Sequence, residues 1–143
     1  MEKITVSLKA FLDEELNKFM VEYEKKRLEV AQSAADGFNI SAALEEERLW
    51  EAKIKSMKNL VKGKKVIRSN KKSEQVSLGS RVDIIHNEEE KSFIVDGVGY
   101  KNDLLTVVSY TSPIGSVLMG KQVGDIISLD GATIKINKVV CAW

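Results

Sequence analysis

The chain has 143 residues, 43% of them hydrophobic and 30% charged, with a formal net charge of +1. That composition excludes a disordered chain and gives no overall charge for attracting nucleic acid or a membrane surface. The single Cys141 excludes an internal disulfide, and the chain has neither an apolar run long enough to span a bilayer nor a signal-peptide layout at its start; a cytoplasmic protein with no membrane partner is expected.

Residues 8–35 lack Pro and Gly and are rich in Leu, Glu, Lys and Ala; residues 40–62 are similar, and both stretches predict helices. In the first, apolar residues fall at Leu12, Leu16, Phe19, Tyr23 and Val30, with Lys26 in the remaining slot. The second has Ile40, Ala43, Trp50, Ile54, Met57 and Val61, with Glu47 in its odd slot. Alternating steps of three and four are the seam spacing of a coiled coil. Folded antiparallel, the lists pair at a constant sum of residue numbers: Leu12–Val61, Leu16–Met57, Phe19–Ile54, Tyr23–Trp50, Lys26–Glu47 and Val30–Ala43. The centre of symmetry lies between Asp36 and Gly37, and the Lys26–Glu47 pair is expected to cross the seam and fix register. From Leu8 to the turn such a hairpin extends roughly 40 Å at ~1.5 Å per residue. It buries a single seam, so it is expected either to project as a monomer or to bundle with a partner or second copy.

At the turn, Gly37 supplies the left-handed conformation that ends a helix, leaving Asp36 as the last residue. Asn39 or Ser41 caps the next helix. Phe38 is either tucked back or offered to a partner. Asp36 faces the unfavourable end of the helix dipole, at a penalty of a few tenths to roughly one kcal/mol, which points to a role beyond the turn.

From Lys53 to Lys72 the chain carries nine basic residues and no acid. Lys53, Lys55, Lys58 and Lys62 would form a basic face, and Lys64, Lys65, Arg68, Lys71 and Lys72 continue it into a linker over residues 63–75 with a short extended piece at Val66-Ile67. A phosphate-facing patch and a solvated helix end both fit. The division is expected after residue 74, giving a helical hairpin with its linker at 1–74 and a second domain at 75–143.

In the second domain, Ser80–His86 and Ser92–Val98 alternate apolar and polar around an acidic turn at Asn87–Glu90, and predict a β-hairpin. Leu104–Ser109 is a third strand. Thr111–Lys121 predicts a short helix with Ser112 as cap, Pro113 at its first position and Gly120 as its stop. Ile126–Leu129 and Thr133–Val140 flank the Asp130-Gly131 turn as a second hairpin. The class is α+β, a small antiparallel sheet with one short helix. The lone His86, on a strand edge, has no companions for a triad or a metal site, and there is no phosphate-binding loop, so nothing here predicts an enzyme.

The stretch "SYTSPIGSVLMGKQVGD" at 109–125 resembles the signature of the GreA/GreB transcript-cleavage family, roughly S-x-x-SP-[LI]-[GA]-x-x-L-[LI]-GK-x-x-GD. Leu78–Val82, Glu51–Ile54 and Val66-Ile67 fit the same pattern, so the resemblance spans most of the chain. It implies an N-terminal coiled-coil hairpin and a C-terminal FKBP-like domain without isomerase activity. It further implies a partner, bacterial RNA polymerase. The C-terminal domain would dock on the rim of the secondary channel, through Ser112, Pro113, Ile114, Gly120 and Lys121 where the signature is densest. The hairpin would enter the channel and bring tip acids to the polymerase's own Mg²⁺, close to the nascent RNA 3′ end, so the chain needs no cofactor of its own. By this resemblance Asp36 corresponds to the first tip acid, and Asn39 stands where the pattern G-D-x-x-E-N-A-E-Y has its glutamate. Two outcomes follow: stimulated cleavage of backtracked RNA with Asp36 and Asn39 as the contributing residues, or a non-cleaving regulator that occupies the channel. A short-armed nucleotide-metabolism regulator of the Rnk type and a peptide-binding module of FKBP type are the remaining alternatives.

Overall fold

The computed structural model describes residues 2–69, 74–103 and 105–143. Lys71 and Lys72 of the basic stretch, and Leu104 of the expected third strand, lie outside them. The elements in order are β1 (Lys3–Thr5), α1 (Val6–Ala35), α2 (Ser41–Val61), β2 (Lys65–Ile67), β3 (Ser80–His86), β4 (Glu89–Asp96), β5 (Tyr100–Lys101), β6 (Thr106–Ser109), α3 (Pro113–Leu118), β7 (Ile126–Leu129) and β8 (Ala132–Cys141). This is the expected α+β class. The chain divides into a helical unit, Ala10–Lys62, and a sheet unit made of Met1–Lys9 with Gly63–Trp143.

The division therefore differs from the one expected after residue 74. The cause is β1, which no sequence periodicity announced because it is three residues long. It pairs in parallel with β2, Lys3 opposite Lys65 and Thr5 opposite Ile67. Lys64 and Glu2 form an ion pair beside this ribbon. Both flanks of the hairpin thus belong to the sheet unit.

The main sheet has six strands in the order β5-β6-β4-β3-β8-β7. It is antiparallel except where β4 runs parallel to β6, so the purely antiparallel expectation is corrected at one pair. The hairpin β3–β4 is tighter than the sequence suggested: Asn87 and Glu88 alone make the turn, at φ of 51° and 67°, and Glu89 and Glu90 join the ladder. Both turn residues have positive φ, as the twist-matched two-residue hairpin demands. His86 ends β3, a strand bordered on both sides, by β4 and β8, and so is not on an edge of the sheet. The core beneath is Val76, Val82, Ile84, Val95, Leu118, Ile127, Ile134 and Ile136.

Asp96, at the end of β4, is fully buried. Its carboxylate accepts from the Thr5 amide at 2.9 Å, the Thr5 hydroxyl at 2.5 Å, the Gly97 amide at 2.7 Å and the Trp143 indole N–H at 3.3 Å. A buried carboxylate is tolerated only when its lone pairs are satisfied in this way. Thr5 uses its oxygen twice, since Oγ1 also accepts from the Leu8 amide at 3.2 Å and thereby caps α1. One acid thus holds the first strand, the start of the first helix and the last residue of the chain.

In the helical unit, the half-buried or buried positions of the first arm include Leu12, Leu16, Phe19, Tyr23, Lys26 and Val30, and those of the second include Ile40, Ala43, Glu47, Trp50, Ile54, Met57 and Val61. This is the seam read from the spacing. The rings of Phe19 and Trp50 meet at 5.9 Å, tilted by 57°. The polar cross-pair differs in one detail. Lys26 reaches Glu46 at 3.1 Å and Glu29 at 2.9 Å, while Glu47 lies 4.0 Å from Arg27. The long lysine stem crosses the seam and carries its ammonium outward, where the neighbouring acid meets it.

Replacing Asp96 with Ala leaves its buried donors unsatisfied and is expected to lower stability by on the order of 3–5 kcal/mol, measured by urea unfolding. Hydrogen bonds to Glu29, then to Glu46, hold the Lys26 ammonium charged above the ordinary lysine range. A raised folded-state value means a contribution complete at and below the ordinary lysine range and lost as pH climbs through the higher one. Unfolding of the Lys26→Met variant is therefore expected to differ from the parent below that window and to converge with it in strong alkali.

Candidate functional site

The helical unit turns within a stretch that is nearly free of charge. Between Val30 and Leu44, Asp36 is the only charged residue. α1 closes with the Phe38 amide on the Ser33 carbonyl at 3.0 Å and the Gly37 amide on the Ala34 carbonyl at 3.1 Å, the Schellman arrangement. Gly37 sits at φ +80° with open space where a Cβ would stand, so the requirement for glycine here is backbone conformation and not crowding.

Asp36 is exposed, and both its carboxylate oxygens lie 3.1 Å from the amide nitrogen of Gln32, one turn back on α1. That donor offsets part of the repulsion from the helix C-terminus. Asn39 stands one residue before the cap position of α2, which Ile40 occupies without a side-chain bond, and its Oδ1 accepts from the Ser41 amide at 3.0 Å. Neither expected cap takes that position: Ser41 is already the first helical residue, and Asn39 closes a local turn just before it. Phe38 is 68% exposed, although the residue after a Schellman glycine often packs back on its helix. The turn thus displays one carboxylate, one aromatic ring and one already engaged amide oxygen. Among the described residues no three His, Cys, Asp or Glu side chains gather as a metal site.

The four lysines of the expected basic face do not share a face. At about 100° per residue, Lys55 and Lys58 lie within roughly 60° of each other, whereas Lys53 points to the opposite side. There its ammonium sits 4.3 Å from the centre of the Phe19 ring and 5.0 Å from that of Trp50, a cation–π contact at the seam. Lys62 follows the last residue of α2 and is exposed.

In the sheet unit, much of the dense motif around α3 is consumed by the fold. Ser112 caps the helix, accepting from the Gly115 amide at 3.1 Å and donating to the Ser109 carbonyl at 2.6 Å. A Cβ on Gly115 would stand 1.9 Å from that same carbonyl oxygen, so no larger residue fits. Leu118 is fully buried, and Ile114 packs partly on the core. Gly120 takes φ +79° and its amide donates to the Val76 carbonyl at 2.8 Å. Pro113, Ser116, Lys121 and Val123 are among the residues of this motif that remain exposed.

Two features escaped the sequence reading. The Asp96 network was signalled only by an Asp-Gly dipeptide inside an apolar run. A second apolar surface on α1, at Met20, Val21 and Leu28, was masked by the stronger seam periodicity beside it.

Residues 71–141 match the family model described as transcription elongation factor, GreA/GreB, C-terminal domain. The chain is 30% identical over 135 residues to the transcription elongation factor GreA of Bacillus licheniformis, covering 88% of this chain and 85% of that one. It is 31% identical over 133 residues to GreA of Thermoanaerobacter pseudethanolicus, with 83% and 82% covered. Among solved structures, GreA factor homolog 1 (Gfh1) of Thermus thermophilus aligns over 96% of this chain and 97% of its own, at 22% identity and a TM-score of 0.44.

Gly37→Ala is expected to destabilise the helical unit by about 1 kcal/mol through backbone strain alone, whereas Phe38→Ala should leave its unfolding midpoint in place. Thermal unfolding followed by circular dichroism distinguishes the two.

Proposed function

The chain belongs to the GreA/GreB family of transcription elongation factors, and from that membership we propose how this Gre-type factor acts on bacterial RNA polymerase in the cytoplasm. The sheet unit docks on the rim of the secondary channel through the surface around α3, with Pro113 and Lys121 outward and Ser112, Ile114 and Gly120 shaping the corner. The helical unit enters the channel, turn first, with Lys55 and Lys58 toward the channel wall or the extruded RNA. The chain is a regulator of the polymerase's chemistry and not an enzyme in its own right.

The observation that carries this reading is the turn itself, where a lone, exposed carboxylate stands in an uncharged stretch of fifteen residues, 30–44. A Mg²⁺ site accepts one or two carboxylates beside its waters, and the metal supplies charge neutralisation at a phosphodiester. Asp36 fits as a contributor to an ion held mainly by the polymerase, because a single carboxylate with no second acid nearby is too few ligands to hold one alone. Release from Gln32 would free both oxygens. The first arm from Ala10 to Ala35 measures about 39 Å at ~1.5 Å per residue, a length suited to reaching a recessed centre.

A second reading, occupancy of the channel without cleavage, is favoured by two specific contacts. The amide oxygen of Asn39 already serves the Ser41 amide, and Asp36 already has Gln32 as its partner. On this reading the turn blocks or tunes the catalytic centre and donates no ligand to it.

Backtracked elongation complexes incubated with the protein distinguish the two. Under the first, RNA 3′ ends shorten; Asp36→Asn abolishes the shortening with polymerase binding unchanged, and Asn39→Glu increases it. Intact RNA with slowed elongation selects the second. If the protein does not bind polymerase at all, both readings fail.

A further inference from the structure

Beside the seam, the two arms enclose a groove of about 870 Å³ floored by Ile54 and bordered on α1 by Met20, Val21 and Leu28. These three are 43%, 55% and 69% exposed, a run of uncovered aliphatic side chains on one stretch of helix. A cluster of that kind marks an interaction surface more often than isolated exposed residues do.

The charges around the groove identify its occupant. On α1, Glu24 is paired with Arg27 at 3.0 Å and Lys25 with Glu22 at 3.4 Å. On α2, Glu51 and Lys58 border the same groove, and among the described residues neither has an ion-pair partner. They are seven residues apart, two turns and about 10.5 Å along one face. One acid and one base a heptad apart on a single helix face are complementary to the same helix running the other way. No foreign partner is needed to satisfy them.

We propose that this face binds a second copy of the chain. The two helical units pack antiparallel about a two-fold axis near Lys55, each copy's Glu51 opposite the other copy's Lys58, with the two grooves closed against each other. A two-fold contact of this kind is isologous, so every favourable pair occurs twice. Lys55 meets its symmetry mate near the axis, and that like-charge contact holds the association to a modest, reversible affinity. The monomer expected from the sequence is then one side of an equilibrium, in which dimerisation covers the groove. The inference stands apart from the polymerase reading and is tested on the protein alone.

Sedimentation velocity of the full chain across a concentration series gives the dissociation constant. Glu51→Lys and Lys58→Glu, each alone, remove both symmetric pairs and introduce repulsion, and each should weaken the dimer about tenfold or more. The two reversals combined restore the pairs in opposite sense and should return the constant toward that of the parent. Val21→Glu, which leaves the ion pairs in place but charges the apolar border, should also dissociate it. Far-ultraviolet circular dichroism checks that each variant keeps its helices. A parent that sediments as a monomer at every concentration overturns the proposal. So does a dimer indifferent to the single reversals, or a double variant no stronger than either single one.

Discussion

One buried carboxylate fixes where the first helix begins. Asp96 lies where solvation is lost, and its charge is tolerated because Thr5, Gly97 and Trp143 converge on it with N–H and O–H donors. Thr5 passes that constraint onward, because the hydroxyl that donates to Asp96 also caps α1 at Leu8. The first turn of a thirty-residue helix is thus set by an acid ninety-one residues away. The parallel pairing of β1 with β2 extends the constraint to the point where the chain returns from the second arm.

Beyond that anchor the helical unit follows a simpler logic. A single seam of apolar residues, interrupted by Lys26 and Glu47, holds two long arms together, and helix stability comes from that burial more than from intrinsic propensity. Charges are abundant along the arms and almost absent at the turn. The contrast makes Asp36 chemically conspicuous: a lone anion at the end of a structure whose other acids are largely paired with lysines and arginines along the helices. The groove on the other side of the seam has the opposite character, apolar and bordered on α2 by Glu51, Lys55 and Lys58, none of which has an ion-pair partner among the described residues. The turn and the groove therefore offer different chemistry, a carboxylate at one and apolar surface at the other.

The motif around α3 separates recognition from mechanism. Its density in a short stretch made the family resemblance visible, yet Ser112, Gly115, Leu118 and Gly120 are required by the capping, close approach, core burial and left-handed backbone of the fold. What remains for a partner is the exposed remainder, which includes Pro113, Ser116, Lys121 and Val123. A dense signature is thus strong evidence of kinship and weak evidence of contact, residue for residue.

The sequence by itself determined whatever depends on neighbours along the chain. Helical periodicity placed both arms and their seam, Gly37 and Asp130-Gly131 placed turns, and Ser112-Pro113 placed the start of α3, because each of these is decided within a few residues by backbone sterics or local hydrogen bonds. Only the tertiary structure decided which side of α2 each lysine occupies relative to its aromatic neighbours, and whether Lys26 meets Glu46 or Glu47. It alone added β1, paired β4 with β6 in parallel, and gathered Thr5, Asp96 and Trp143 around one charge. Those outcomes depend on contacts between residues far apart in the chain. A three-residue strand or a single buried acid carries no period from which such contacts could be read.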